Sequence, residues 1–154
     1  KNGQKQTIAA YKNGLAHGSW TDWYKNGQKQ TEGKYANDLQ NGRWTYWYDN
    51  GQIDNVSFFK NDMLDGLDTY WYENGQKAYE QNFKNGEFDG IENFWDENGQ
   101  KLNEGYFKNG KKDGLFKSWH DNGQIDSFTF YEVGTLISRK CWNEDGNVIK
   151  CKTK

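Results

Sequence analysis

Proton transfer near neutral pH would fall to the two histidines, His17 and His120. They stand 103 residues apart, whereas acid–base or covalent catalysis requires groups positioned together. Carboxylates occur in pairs, Asp22 with Asp68 and Glu92 with Asp96, and glycoside hydrolysis uses two carboxyl groups about 5 to 9.5 Å apart. Acids on the solvent side of strands are common, however, and no spacing singles these out. Turns rich in Asp and Asn suggest calcium, yet they lack the loop spacing and the bidentate Glu of an EF-hand. The expectation is a chain that is not an enzyme, with no catalytic residue, no cofactor and no metal. The chemistry left is recognition by flat rings. The chain holds 8 Trp, 10 Tyr and 9 Phe, 18% of its residues, and Trp and Tyr dominate binding hot spots.

A repeat positions those rings. Asn-Gly-Gln recurs with its glycine at Gly3, Gly27, Gly51, Gly75, Gly99 and Gly123, each 24 residues after the last. A second mark follows eleven residues later, at Gly14, Asp38, Asp62, Gly86, Gly110 and Gly134. A third falls at Gly18, Gly42, Gly66, Gly90 and Gly114, and Ser138 breaks that column. Within one unit, Gly66 to Tyr72 is short, aromatic and rich in β-favouring residues, and Gln76 to Phe83 is its return. A three-residue Glu-Asn-Gly loop between them fits a type I turn with glycine in the left-handed region, Tyr72 facing Gln76. The Lys-Asn-Gly stretch then reverses the chain again, and no segment keeps a helical period. The fold class expected is all-β: an elongated single-layer antiparallel β-meander, a solenoid of 24-residue β-hairpin repeats with about 13 strands, about 60 Å long at ~4.8 Å per strand. In such an array His17 and His120 lie about 40 Å apart and share no site. One domain spans residues 1–154: a partial repeat 1–17, units 18–41, 42–65, 66–89, 90–113 and 114–137, and a degenerate cap 138–154.

Simple hairpin pairing assigns the faces. Trp23 opposite Lys29, Thr21 opposite Thr31 and Ser19 opposite Gly33 put Tyr35 on the same side as Trp23. One face then carries both the column Trp23, Trp47, Trp71, Trp95, Trp119 and the column Tyr11, Tyr35, Phe59, Phe83, Phe107, Tyr131. Small or modest residues (Ala9, Gly33, Ser57, Gln81, Gly105, Thr129) lie between them and leave room for rings. The opposite face varies between units, through Trp20, Asp22 and Tyr24, then Trp44, Tyr46 and Tyr48, then Asp68, Tyr70 and Tyr72, then Glu92, Phe94 and Asp96, to Phe116, Ser118 and His120. A periodic face is explained by folding alone, whereas a varied aromatic one suits a partner. Trp20, Trp44, Tyr46, Tyr48, Tyr70, Tyr72 and Phe94 are therefore the candidate partner-binding residues. The competing account is that these rings cover the second side of a thin sheet, with Lys and Glu stems draped over them.

Composition narrows the partner. The 33% apolar content and the absence of proline fit a ring-packed sheet whose turns rely on Gly and Asn, rather than a thick aliphatic core. Net charge is only -2, with both signs interspersed, so nucleic acid is not expected. No apolar run reaches the ~20 residues of a membrane helix, and Lys111-Lys112, the one adjacent basic pair in the units, falls short of a polybasic patch. Lys1 opens the chain within a unit and without Met, the pattern expected of a trimmed precursor, so compartment is not legible. Cys141 and Cys151 flank the last turn. They face each other if paired residue numbers sum to 292, lie diagonally at 290, and point apart at 291, and free thiols are the default expectation. Lys150, Lys152 and Lys154 on one side of the last strand would discourage strand addition.

The unit running from Asp89-Gly90 through Trp95 to Asn98-Gly99, and on to Phe107-Lys108-Asn109-Gly110 and Asp113-Gly114, resembles the MORN-variant repeats of bacteria (membrane occupation and recognition nexus). The likeness covers residues 1 to 135 and recurs five times. It implies hairpin repeats in a long, curled, single-layer sheet with no general catalytic residues. Many bacterial members are labelled antitoxin or immunity components, others look like surface proteins linked to host contact, and the wider group acts as scaffolds with claims of lipid contact. The 24-residue period, the Trp column and the degenerate last unit depart from the common pattern. The expected partner is another protein, a toxin or a surface receptor, bound by a monomer. A glycan is the second class, because Trp, Tyr and Asn-Gly in hairpins also look like choline-binding wall repeats, although those are nearer 20 residues with a Gly-Trp signature.

Overall fold

The computed structural model describes residues 6–152, in which every regular element is a β-strand. The strands are β1 (Thr7–Lys12), β2 (Leu15–Trp23), β3 (Lys29–Ala36), β4 (Leu39–Gln40), β5 (Gly42–Trp47), β6 (Ile53–Lys60), β7 (Met63–Leu64) and β8 (Gly66–Trp71). They continue as β9 (Lys77–Lys84), β10 (Glu87–Trp95), β11 (Lys101–Lys108), β12 (Lys111–Lys112), β13 (Gly114–Trp119), β14 (Ile125–Glu132), β15 (Thr135–Trp142) and β16 (Val148–Ile149). Thirteen follow one another in a single antiparallel meander, while the two-residue strands β4, β7 and β12 pair β3, β6 and β11 just ahead of β5, β8 and β13. The expected all-β repeat array is what forms. Gly3 and Lys154 lie outside the described residues.

Both turns of the unit follow from their residues. At Glu73-Asn74-Gly75 the Tyr72 amide donates to the Gln76 carbonyl (2.8 Å) and the Gly75 amide to the Tyr72 carbonyl (2.9 Å), with Gly75 at φ +85°, as the three-residue loop predicts. The Asn74 side chain accepts from the Gln76 amide (2.9 Å) and donates to the Glu97 carbonyl one unit on (2.6 Å). Gln76 in turn lies against the next glycine, Gly99, its Oε1 3.0 Å from where a Cβ would stand. Asn-Gly-Gln thus encodes a turn and two contacts to its successor. The opposite turns are two-residue loops with both residues at positive φ, such as Asn61 (+52°) and Asp62 (+64°), the geometry that twisted hairpins favour. Val133 (+46°) occupies the Asn position in the last copy.

The faces are not those that simple pairing predicts. In each of the five described Asn-Gly-Gln hairpins the register slips by one just after the turn: Trp71 pairs Lys77, but Tyr70 pairs Tyr79, leaving Ala78 as an extra bulged residue. Gln30, Asp54, Leu102 and Asp126 fill the same role in the other units. A one-residue slip moves every later side chain to the other side. The Trp column and the Tyr/Phe column therefore occupy opposite faces, and Trp20, Trp44, Tyr46, Tyr70 and Phe94 share a face with Tyr35, Phe59, Phe83 and Phe107. Gly33 pairs Trp20 and Ser57 pairs Trp44, so the small column does leave room for rings, but for the rings of this face.

The cap also differs from expectation. β15 and β16 pair at a sum of 290, Cys141 with Ile149, the diagonal register. The chain leaves the ladder after Ile149, which brings Cys151 to 5.3 Å from Cys141 at Cα, and the two form a disulfide. Lys150 and Lys152 lie beyond the strand rather than along its face.

Candidate functional site

The Tyr/Phe-column face carries its rings in separate runs of contact. Trp20 meets Tyr35 edge-on at 5.3 Å and donates its indole N–H to Asp22 (2.7 Å). Tyr35 meets Trp44 at 4.9 Å, and Trp44 stacks on Tyr46 at 6.2 Å. Trp44 is the most buried large side chain, 2% exposed. It lies so close over Gly33 that a Cβ there would sit 2.2 Å from the indole. Trp44 thus holds the wall of the face and has no surface left for a partner. Further on, Tyr70 stacks on Tyr79 (4.4 Å) and Tyr79 touches Phe94 (5.6 Å). Tyr46, Tyr70 and Phe94 are half-buried with ring surface open.

Along the column Trp20, Trp44, Asp68, Glu92, Phe116, the third and fourth units replace a ring by a carboxylate, and cavities open beside these positions. One, of about 220 Å³, is walled by Tyr46, Tyr70, Phe59 and Leu64, with Asn55, Ser57 and Asp68 at its base and Asp54 at its side. Another, of about 300 Å³, includes Glu92, Phe94, Phe116, Thr129, Tyr131 and Arg139. Asp68 is 5% exposed, and its Oδ1 accepts from Asn55 Nδ2 (2.8 Å) and Ser57 Oγ (2.6 Å). Burial first, and the Asp68 charge in addition, push the Tyr46 and Tyr70 hydroxyls above the ordinary phenol range.

Tyr48 and Tyr72 do something else. Each hydroxyl donates to the carbonyl of the Trp one unit on, Tyr48 to Trp71 (2.6 Å) and Tyr72 to Trp95 (2.8 Å), and Tyr24 does the same to Trp47 (2.6 Å). Their rings border the face, but their polar ends lace adjacent units together. His120 takes the same place, with Nε2 2.9 Å from the Trp142 carbonyl, and is half-buried. Asp96, which only accepts, folds back onto the Asn98 and Gln100 amides. The 24-residue spacing of Tyr24, Tyr48 and Tyr72 was the available signal for this tie.

The Trp-column face carries the draped lysines that a thin sheet calls for: Lys29 over Trp47, Lys77 over Trp95 and Lys101 over Trp95 and Trp119. Lys101 and Lys117 both bond Glu104 (2.9 and 2.7 Å) and hold its carboxyl below the usual range. This face also bears a stripe that the hairpin reasoning missed. Phe58, Ile91, Tyr106, Leu115 and Phe130 are 38–44% exposed, and Ile91 pairs Tyr106 while Leu115 pairs Phe130.

Among the described residues, no cluster of three or more His, Cys, Asp or Glu is placed to hold a metal, and no helix is long and apolar enough to cross a membrane. No curated protein matched the chain. The family described as MORN repeat variant matches five consecutive segments, residues 16–37, 40–61, 64–85, 88–109 and 112–132, well over half of the sequence. These repeats are a non-catalytic type that generally serves interaction with proteins or membranes. Each segment starts 24 residues after the last and covers one pair of strands of the meander, and the chain belongs to the MORN repeat variant family.

Proposed function

We propose that the chain is an interaction protein without enzymatic activity that captures another protein on its Tyr/Phe-column face. Trp20, Tyr46, Tyr70 and Phe94 make the contact, Trp44 supports them from beneath, and Tyr48 and Tyr72 border the patch. The observation that carries this reading is the pair of ring-walled cavities beside Tyr46 and Tyr70 and beside Phe94. A side chain inserted there is desolvated between rings, the setting in which a few residues supply most of the affinity. The unit is a monomer, one domain over residues 1–154 built of the 24-residue units set out above. It acts by occlusion, as an antitoxin or immunity component against a toxin, or by holding a receptor in contact between cells.

The test is affinity capture from lysate and envelope fractions with three baits: the unaltered chain, Tyr46→Ala/Tyr70→Ala/Phe94→Ala, and Tyr106→Ser/Phe130→Ser on the other face. One stoichiometric protein lost only with the first triple variant, whose circular dichroism is unchanged, supports the reading. Loss only with the second variant moves the contact to the exposed stripe and overturns the face assignment.

A glycan is the second reading, favoured by a slot of about 340 Å³ between Trp71 and Trp95 near Gln76 and Lys77, since sugar rings stack on indole faces. Quenching of Trp fluorescence by envelope glycans, with no protein captured, would put it first.

A further inference from the structure

The cavity beside Tyr46 has a chemistry more specific than its shape. Tyr46, Asn55 and Tyr70 stand in register on β5, β6 and β8, so the two rings flank Asn55 about 10 Å apart across three strands. One row deeper, Ser57 pairs Trp44 and contacts Asp68 on its other side. Because Asp68 is far smaller than the Trp44 ring one unit earlier, the space that ring would fill is open and ends at a carboxylate. Both donors that Asp68 receives reach the same atom, Oδ1. Oδ2 has no donor among the described residues, yet no fully buried side-chain oxygen or nitrogen lacks a partner. Oδ2 therefore opens onto the cavity that Asp68 lines. Asp54 adds a second carboxylate to the lining, and no Lys or Arg lies among the lining residues.

We infer that this cavity receives a primary alkylammonium group, the end of a lysine side chain of the partner, which donates a hydrogen bond to Asp68 Oδ2 between the faces of Tyr46 and Tyr70. A carboxylate that is 5% exposed with one oxygen unbonded is poorly solvated, and a donated N–H restores what burial removed. Ring faces attract the positive charge, while the lysine's methylenes cover ring surface. An ammonium with N–H groups is selected over a quaternary one because the open atom accepts hydrogen bonds, and Lys carries three donors. Arginine's broad planar fork needs two acceptor atoms in line, and Asp68 at the base offers only Oδ2, its Oδ1 being taken by Asn55 and Ser57. The inference deepens the proposed function and rests on it only for the lysine's source, since the cavity's choice of ligand is measurable without any partner.

The experiment follows the Asn55 side-chain amide and the Tyr46 and Tyr70 ring resonances by NMR in the unaltered chain. The titrants are n-butylammonium, tetramethylammonium, n-butanol, and a blocked Gly-Lys-Gly peptide with its acetyl-lysine counterpart. Saturable shifts are expected with n-butylammonium and the lysine peptide, and none with n-butanol or acetyl-lysine. Asp68→Asn, which keeps the shape and leaves an oxygen for Asn55 and Ser57, should weaken binding by at least about tenfold. Tyr46→Leu, which keeps an apolar side chain against Trp44 and removes the aromatic face, should weaken it severalfold with circular dichroism unchanged, and serves if Asp68→Asn unfolds. Tetramethylammonium binding as tightly as n-butylammonium, or no saturable shift with any amine, overturns the inference. Binding of n-butylammonium without the lysine peptide overturns the partner as source. Lysine-peptide binding in a chain that captures no protein would leave the cavity chemistry standing and remove the protein-capture reading instead.

Discussion

Replacing Tyr48 by Phe removes one oxygen and nothing else, and so tests whether the units are laced as described. The hydroxyl donates to the Trp71 carbonyl at 2.6 Å, 23 residues on. A hydrogen bond of this kind contributes about 1 kcal/mol net, and the ring's packing is retained in the variant. For a chain of this length that predicts a loss of about 2 to 4 °C in melting temperature, with a matching fall in the urea midpoint at unchanged slope. A second signature comes from pH. Burial first, then Asp54, pushes the Tyr48 hydroxyl from 10.0 up to about 12, so the folded state holds this proton more tightly than the unfolded chain. The stability it contributes is complete below pH 10 and is lost as pH rises through about 12. Solvent screening at this partly open site limits that contribution to about 1 kcal/mol. Wild type should lose its advantage over Tyr48→Phe across that window, and hydrogen exchange should quicken at β5 to β8 but not at β13 to β15. Equal urea midpoints at pH 7, within about 0.3 kcal/mol, would refute the lacing, as would parallel stability curves from pH 10 to 12.

Two further perturbations address packing and backbone. Gly33→Ala places a methyl 2.2 to 2.6 Å from three indole atoms of Trp44; the ring is walled by Tyr35 and Tyr46 and cannot yield freely. The expected cost is about 1 to 3 kcal/mol in urea unfolding, with a shifted Trp44 indole resonance. Val133→Asn should stabilise by about 1 kcal/mol, because a β-branched residue at φ +46° carries strain that Asn, the residue at this place in the five preceding turns, largely avoids.

The sequence made the fold legible because each turn is written in residues with few alternatives. Asn-Gly at fixed intervals sets both the hairpins and the 24-residue step, and the strands between are too short and too aromatic for helix. The faces were not legible, for a reason just as local. Ala78 and its counterparts Gln30, Asp54, Leu102 and Asp126 share no side-chain type that announces a bulge, yet each inverts every assignment beyond it. Trp20, Trp44, Tyr46, Tyr70 and Phe94 share one face, while the residues beside them on it are not those that simple pairing predicts. Trp44's burial needed Gly33 to be placed beneath it, which depends on the slip. The role of Tyr48 and Tyr72 was visible as spacing but needed the twist of successive strands to bring hydroxyl and carbonyl together. The disulfide escaped the register argument because Cys151 lies past the end of the ladder that the argument assumed.

The ties described along the Asn-Gly-Gln turns, Tyr48 to Trp71, Asn74 to Glu97 and Gln76 to Gly99, all run from one unit to the next and never further. Removing or duplicating a whole unit leaves each surviving junction with the same partners, so copy number is free to drift in evolution while turn chemistry stays fixed. Length then becomes a heritable variable separate from stability. Recombination between near-identical stretches can move the ring-for-carboxylate exchanges at Asp68 and Glu92 along the array as whole cassettes, resetting what the sheet recognises without redesigning how it holds together.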